Sequence, residues 1–385
     1  MNPILLIPTG ESDPDFVYAT GFAVESALYI RYSAADDVLV TTALEFDRAR
    51  AQSAAARVME SAAAGYEERG PYVSWPQLAA KMLRAKGLAR VSVSPRLAAA
   101  YLEELRAAGL EVEVDRNLFV AERRRKTAAG AAAIAETQRA AEAAVVAVVG
   151  ELAHAEIKEG VLWSDGSLLT SERLYALAQR ALGEMGCTCP DMIIAGSPEC
   201  AMPHFRGSGQ IRANAPIIID IFPSSRITHF HGDLTRTVVV GEIPEALRRL
   251  HATVLQALDA GIESIRDGVP GSQVHRDVCQ VLVDRGYGTL TPGYEGPDGV
   301  AKMNHSTGHG VGLEVHEAPL LRITSSAPLK EGDVVTVEPG LYLADLGGVR
   351  IEDTGMVTKT GFLNFTTLTR SLDPKDYVAG TNGTD

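Results

Sequence analysis

Four acidic residues stand where the neighbouring sequence offers little to answer a charge. The run Ala215-Pro216-Ile217-Ile218-Ile219-Asp220-Ile221 is short, β-branched and bounded by turn residues. It reads as a buried strand that carries Asp220 into the interior. Asp333-Val334-Val335-Thr336-Val337-Glu338-Pro339-Gly340 has the same form and bears Glu338 at its end. Asp233 opens Asp233-Leu234-Thr235-Arg236-Thr237, and Glu352 lies in Val349-Arg350-Ile351-Glu352-Asp353. An ionised carboxylate in apolar surroundings is costly unless it is paired, protonated or bound to a cation. Any one of these acids alone would more often be salt-bridged or exposed; the set points to cations. Three histidines, His305, His309 and His316, fall within twelve positions of a chain that has nine in all, with glycines between them. Four carboxylates with the His309 imidazole form an oxygen-rich donor set that suits hard or borderline divalent ions, Mn²⁺ first, with Co²⁺ or Zn²⁺ as alternatives. Carboxylates can bridge, so two divalent metal ions per subunit are expected.

The elements that must position these groups can be read coarsely. Residues 1–120 read as a small α/β unit, with strands near 4–7, 27–31, 37–41, 91–93 and 112–114 and helices near 45–63 and 96–108. From Thr127 an alanine-rich helix is expected to run towards Lys158, and it marks the entrance to a second domain, 121–385. Helices follow at about 171–185, 244–266 and 272–285, the last after the turn signal Gly268-Val269-Pro270-Gly271. Helices followed by an acid-bearing strand thus occur twice, without enough identity for a sequence repeat.

Composition sets the outer bounds. A chain of 385 residues favours two domains, and 46% apolar with 22% charged residues is ordinary for a globular protein. A net charge of -13 argues against a nucleic-acid surface. The one basic run, Arg123-Arg124-Arg125-Lys126, reads as a solvated helix start between domains. Four cysteines with no CxxC pair fit a reducing compartment. The start, Met1-Asn2-Pro3 with a short apolar run to Ile7, lacks the basic and apolar regions of a secretion signal, and no apolar stretch is long enough to span a bilayer. The expectation is a cytoplasmic protein with no membrane and no nucleic-acid partner.

The segments Asp233-Leu-Thr-Arg-Thr, His305-Ser-Thr-Gly-His309-Gly-Val-Gly-Leu-Glu-Val-His316-Glu, Val337-Glu338-Pro339-Gly340 and Val349-Arg-Ile-Glu352-Asp stand in the order found in one family. Over about residues 122–370 the chain resembles the pita-bread-fold metallopeptidases: methionine aminopeptidases, Xaa-Pro aminopeptidases and prolidases. The resemblance implies an α+β chain, a small N-terminal α/β creatinase-like domain followed by a pita-bread catalytic domain. It makes Asp220 a ligand of one ion, His309 and Glu338 ligands of the other, and Asp233 and Glu352 bridges. It also implies a hydroxide held between the ions as nucleophile and Glu338 as proton relay. His204 and His316 match family histidines that hydrogen-bond the substrate carbonyl and stabilise developing charge. His305 would line the proline side, and Arg350, with Thr235, would orient the carboxylates.

The preceding α/β domain and the segment Asp15-Phe-Val-Tyr-Ala-Thr-Gly-Phe22 are similar to prolidases and Xaa-Pro aminopeptidases rather than methionine aminopeptidases. The implied activity is metal-dependent hydrolysis of Xaa-Pro bonds in dipeptides or short peptides. A prolidase is the first reading, an Xaa-Pro aminopeptidase acting on longer peptides the second, and a catalytically silent binding module the remote third. A dipeptidase must hold its substrate's free carboxylate, for which Arg322 is the candidate and Arg48 of a partner subunit the alternative. The family resemblance also implies a homodimer. One departure stands out: relatives place a glycine two residues after the first aspartate and the second aspartate eleven residues on, whereas here Phe222-Pro223 follows and the acids are thirteen apart, with His229 and His231 in the lengthened loop.

Overall fold

The computed structural model describes residues 2–65 and 74–378, so Met1 and the end of the expected catalytic range, 379–385, lie outside it. The chain forms two compact units, Met1–Arg123 and Arg124–Asp385.

The first unit is built on a six-stranded mixed sheet in the order Val58–Glu60, Asp36–Thr41, Ala27–Ser33, Ile4–Leu6, Arg90–Val93, Glu111–Val114. Side chains alternate across it with period two. Leu28, Ile30, Val38 and Val40 pack with Trp75, Leu83 and Leu105, while Ile4, Leu6, Tyr29 and Leu39 pack with Phe16 and Phe22. The helix expected over 45–63 is only Ala43–Gln52. Val58–Glu60 is a strand parallel to Asp36–Thr41; sheet pairing overrides the helical propensity of the surrounding alanines. Two helices, Pro14–Thr20 and Trp75–Ala85, were not anticipated. The first has a legible start, since Asp13 accepts from the backbone N–H groups of Asp15 and Phe16 and Pro14 occupies the first turn.

The second unit opens with the helix Ala128–Ala153, capped by Thr127 on the Gly130 N–H. It stops short of Lys158 because Glu156–Lys158 turns back as a strand against Val161–Ser164. The connecting Glu159 and Gly160 have φ of 51° and 77°, the paired positive values of a type I′ hairpin turn. Helices Ser171–Glu184, Glu245–Ser264 and Gly271–Asp284 follow.

Two cores organise this unit. One joins the Ala128–Ala153 and Ser171–Glu184 helices to Ile217, Ile219, Ile221, Leu234 and Val238. The other joins the Glu245–Ser264 and Gly271–Asp284 helices to Val335, Val337, Leu341, Val349 and Ile351. The first helix pair covers an antiparallel sheet in the order Ile193–Gly196, Pro216–Ile221, Leu234–Val239. The second serves two sheets, ordered Glu317–Leu321, Gly308–Gly310, Val334–Val337, Asp353–Val357, Phe362–Asn364 and Gly288–Thr289, Lys302–Met303, Gly340–Leu343, Gly347–Arg350. Each core therefore consumes one face of an acid-bearing strand and leaves the other face for the acid.

The basic run is not a solvated helix start. Arg123 pairs with Asp15 at 2.9 Å in the first unit. In the second, Arg124 meets Asp333 at 2.6 Å, and Lys126, whose side chain is 2% exposed, meets Glu317 at 2.5 Å. Among the described residues no helix is long and apolar enough to cross a membrane.

Candidate metal centre

Strand alternation aims the first acid. In Pro216–Ile221 the odd-numbered isoleucines enter the core, so Ile218 and Asp220 face the other way. Asp220 lies opposite Thr235 on the neighbouring strand, whose Thr235 and Thr237 share that face. In Val334–Val337 the valines 335 and 337 are core, and Thr336 and Glu338 point to the opposite side, with the Thr336 hydroxyl 3.4 Å from Glu338 Oε1. His309 is held between glycines that nothing larger could replace. A Cβ on Gly308 would lie 2.1 Å from the Thr336 carbonyl oxygen, and one on Gly310 2.4 Å from that of Ala318.

These side chains converge on one cavity of about 430 Å³, lined by Asp220, Asp233, His309, Glu338 and Glu352. One ligating atom each of Asp233, His309 and Glu352 lies within 4.8 Å of the others. His309 Nε2 is 3.6 Å from Asp233 Oδ2 and 3.3 Å from Glu338 Oε1, while its Nδ1 faces the Gly310 carbonyl at 3.2 Å. A proton on Nδ1 leaves Nε2 free to act as a ligand.

The electrostatics are those of crowded buried acids. Burial, and then the charge of Asp220, push Asp233 well above the usual carboxylate range. Burial, with Asp233 and Glu338 behind it, does the same to Glu352. Glu338 goes the other way: burial works against its charge, but the hydrogen bond and charge of His309 outweigh it and hold Glu338 at about 2. His309 responds in kind, raised to about 9 against burial by Glu338 and Asp233. Asp220 Oδ2 accepts from Arg350 Nη2 at 2.5 Å, and Glu352 Oε2 accepts from the Thr235 hydroxyl at 2.7 Å. The partner oxygens, Asp220 Oδ1 and Glu352 Oε1, are buried and accept no hydrogen bond among the described residues. Buried acceptors are rarely left so. Two orphaned carboxylate oxygens in an oxygen-rich cluster with one imidazole fit divalent cations.

Of the histidines and arginines named from the sequence, His204, His316 and Arg322 are exposed, His305 is half-buried and Arg350 is buried. His316 stacks edge-on to His309, ring centroids 4.1 Å apart, and burial followed by repulsion from His309 lowers its pKa. His305 Nδ1 faces the Ser306 carbonyl and Nε2 the Tyr342 hydroxyl, each at 2.8 Å. A carbonyl only accepts, so Nδ1 carries the proton and Tyr342 donates to Nε2. Tyr342 in turn accepts from Arg350 Nη1 at 2.9 Å. His204 and Arg322 are exposed and line the same cavity. Arg48 belongs to the first unit, where it meets Glu45, the Ala23 carbonyl and the Phe22 ring. In the lengthened loop, burial lowers His231 to about 4, and its backbone N–H donates to the Gly312 carbonyl at 2.8 Å.

Sequence reasoning missed Tyr342, Gln138 and Thr354. Gln138 Oε1 accepts from the Asp233 N–H at 2.8 Å, and Gln138 Nε2 and the Thr354 hydroxyl both donate to the Asp233 carbonyl at 2.8 Å. Gln138 had a signal: it shares a helix face with buried Ile134, Ala141 and Val145, where a polar residue needs a reason.

Known proteins give this arrangement a context. The model of metallopeptidase family M24 matches residues 132–359. The Xaa-Pro dipeptidase of Pyrococcus horikoshii is 36% identical over 183 residues, 47% of this chain and 48% of the relative. That of Pyrococcus furiosus is 36% identical over 183 residues, 47% and 49% respectively. The chain thus spans about half the length of the curated relatives it matches. The crystal structure of the prolidase from Pyrococcus horikoshii superposes with a TM-score of 0.78 at 25% identity, covering 97% of this chain and 95% of that one. The X-Pro aminopeptidase from Thermotoga maritima shares the fold, with a TM-score of 0.80 at 23% identity over 96% and 97%. The architecture is the α+β pita-bread one, and the matched residues contain every acid and histidine that converges on the cavity: the chain belongs to metallopeptidase family M24, whose chemistry uses divalent metal.

Proposed function

We propose that this chain is a prolidase, hydrolysing the Xaa-Pro bond of dipeptides with two divalent ions held by Asp220, Asp233, His309, Glu338 and Glu352, Asp233 and Glu352 serving as bridges. The observation that carries the reading is the pair of orphaned carboxylate oxygens, Asp220 Oδ1 and Glu352 Oε1, in the wall of a cavity shared with His309. Bound there, the ions would supply Lewis acidity for the scissile carbonyl and an attacking water at neutral pH.

The chain's own residues do the rest. Glu338, ionised at neutral pH, takes the proton of the attacking water and passes it to the departing proline nitrogen. His204 and His316 donate hydrogen bonds to the substrate carbonyl where negative charge develops. Ile193, Phe222 and Leu320 give the cavity an apolar wall suited to a proline ring, and His305 closes the proline side. Arg350 and Thr235 fix Asp220 and Glu352 by their hydrogen bonds. Arg322, on the cavity lining, takes the substrate carboxylate.

The Xaa-Pro dipeptidases named among the relatives support the substrate class. The exposure of Arg322 is the observation that favours a second reading, an Xaa-Pro aminopeptidase whose cavity admits longer peptides. The same proposal takes Mn²⁺ as the working ion and the enzyme as a cytoplasmic homodimer; four unpaired cysteines support a reducing compartment. The test is turnover of Xaa-Pro dipeptides against Xaa-Pro-Yaa tripeptides, with Mn²⁺, Co²⁺ and Zn²⁺ in parallel. Dipeptides should be preferred, and equal or better cleavage of tripeptides sinks the prolidase assignment. Full activity in His309→Ala would sink the metal centre.

A further inference from the structure

Asp233 sits just outside the regular sheet. The ladder between Pro216–Ile221 and Leu234–Val239 ends with Ile221 opposite Leu234, so the Asp233 peptide has no strand partner although the residue is buried. A buried peptide must find its hydrogen bonds somewhere. It finds them on Gln138, a fully buried side chain of the long helix. The Gln138 amide takes the Asp233 N–H and donates to the Asp233 carbonyl, each at 2.8 Å, as a neighbouring strand's peptide would. Its Nε2 also reaches the Thr366 hydroxyl at 3.0 Å, and the Thr354 hydroxyl seconds it on the Asp233 carbonyl.

The approach to Asp233 is gripped by the same turn of helix. A Cβ on Gly232 would lie 2.9 Å from the Gln138 nitrogen and from the Thr137 carbonyl carbon, so glycine is what lets the chain press against the helix. One residue earlier in the helix, the Thr137 hydroxyl shares its hydrogen between the Ala133 carbonyl at 3.0 Å and the Phe230 carbonyl at 3.2 Å. The exit of the lengthened loop is therefore fixed by helix side chains at Phe230 and Asp233 and by backbone bonds at His231 and Gly232 between them.

We propose that Gln138 is a positioning residue for the metal centre: its amide substitutes for a missing strand partner and fixes the Asp233 peptide, and with it the direction in which the Asp233 carboxylate meets the cations. The proposal rests on the metal centre argued above. It differs from a packing role in what it moves, since partners that orient a ligand change metal affinity, typically by about 10–100-fold.

The test compares Gln138→Leu, similar in size and without hydrogen bonds, and Gln138→Glu, which keeps the acceptor for the Asp233 N–H but loses the donor. Gln179→Leu is the control. It removes an amide-to-carbonyl bond of 2.6 Å to Cys189 in the same unit, from a helix that contributes no residue to the cavity lining. Chelated protein is titrated calorimetrically with Mn²⁺ alone, and kcat and KM are then measured on an Xaa-Pro dipeptide. Both Gln138 variants should bind Mn²⁺ about 10–100-fold more weakly and lose kcat with little change in KM, while Gln179→Leu keeps the wild-type affinity. If Gln138→Leu does not fold, Gln138→Glu carries the comparison. A folded Gln138 variant with wild-type Mn²⁺ affinity overturns the proposal and leaves the metal centre standing. Wild-type protein that binds no Mn²⁺ overturns both. Weakened binding in the variants of a protein without Xaa-Pro activity supports the role of Gln138 and sinks only the substrate reading.

Discussion

Divalent cations should stabilise this fold by an amount that the orphaned oxygens set. Among the described residues Asp220 Oδ1 and Glu352 Oε1 are buried without hydrogen-bond partners, and a buried polar atom left unsatisfied costs about 1–3 kcal/mol, more when charged. A cation that contacts both relieves roughly 2–6 kcal/mol. Mass action sets the share visible in solution, about 2.7 kcal/mol when free Mn²⁺ is a hundredfold above its dissociation constant. For a unit of this size each kcal/mol moves the melting temperature by about 2–4 °C, so Mn²⁺ should raise it by roughly 5–10 °C over chelated protein. The assay is calorimetric melting of chelated and Mn²⁺-saturated protein, repeated with Glu352→Gln. That variant replaces a carboxylate that burial and neighbouring acids hold well above its usual pKa. Chelated Glu352→Gln should therefore melt higher than chelated wild type, and its Mn²⁺ shift should shrink by at least half. Equal melting temperatures for chelated and Mn²⁺-saturated wild type would refute the reasoning, because the orphaned oxygens would then not be cation ligands.

Other expectations follow from single contacts. Lys126→Met removes the 2.5 Å ion pair to Glu317, whose side chains are 2% and 7% exposed; the loss should be up to about 3–5 kcal/mol, which urea unfolding would show, and a loss below about 1 kcal/mol would contradict the assignment of a structural ion pair. Arg322→Ala should raise KM for Xaa-Pro dipeptides by about tenfold, equivalent to about 1.4 kcal/mol, with kcat unchanged and Xaa-Pro-Yaa tripeptides less affected; equal KM values would remove Arg322 from carboxylate binding. His275, held between the Thr307 and Thr291 hydroxyls at 2.8 Å each, is lowered to about 4 by burial, then by repulsion from His305 and Arg276. Its folded form resists a proton that the unfolded chain accepts near 6.5, so stability is full above that pH and falls as pH drops from 6.5 towards 4, by on the order of 3 kcal/mol. His275→Asn should flatten the pH dependence of unfolding in that window; an unchanged slope would mean that His275 takes up a proton in the folded state.

The sequence made the acids legible because strand alternation and an apolar context leave few roles for Asp220 and Glu338. The motifs around His309 and Glu352 placed the resemblance that completed the set. The groups that hold those acids were harder to see. Tyr342 lies in an ordinary apolar strand, and only the folded chain shows its hydroxyl between Arg350 and His305. Gln138 and Thr354 act through the backbone of Asp233, a contact across 95 and 121 positions that no local pattern encodes. In the small first unit, alanine content misled over residues 45–63, because the decisive fact was the parallel edge on which Val58–Glu60 pairs. Helix ends were clearest where a cap or a turn supplied a mechanism, as at Thr127 and at Glu159-Gly160.

The thirteen-residue separation of Asp220 and Asp233 is where sequence spacing and spatial geometry part. Ser224–Ser225 pairs with Cys187–Thr188, and the Arg226 N–H reaches the Gly186 carbonyl at 3.0 Å. The Gly232 N–H closes the base on the Pro223 carbonyl at 3.0 Å. Between these anchors the additional length goes outward, to Ile227 at 85% exposure, and of residues 222–231 only Phe222 lines the cavity. Each end is held independently of the tip, Asp220 by its strand and Arg350, Asp233 by Gln138 and Thr354. A loop fixed at its base in this way can change length without moving either carboxylate, so ligand spacing along the chain is a weaker constraint on such a centre than the side chains that grip its ends.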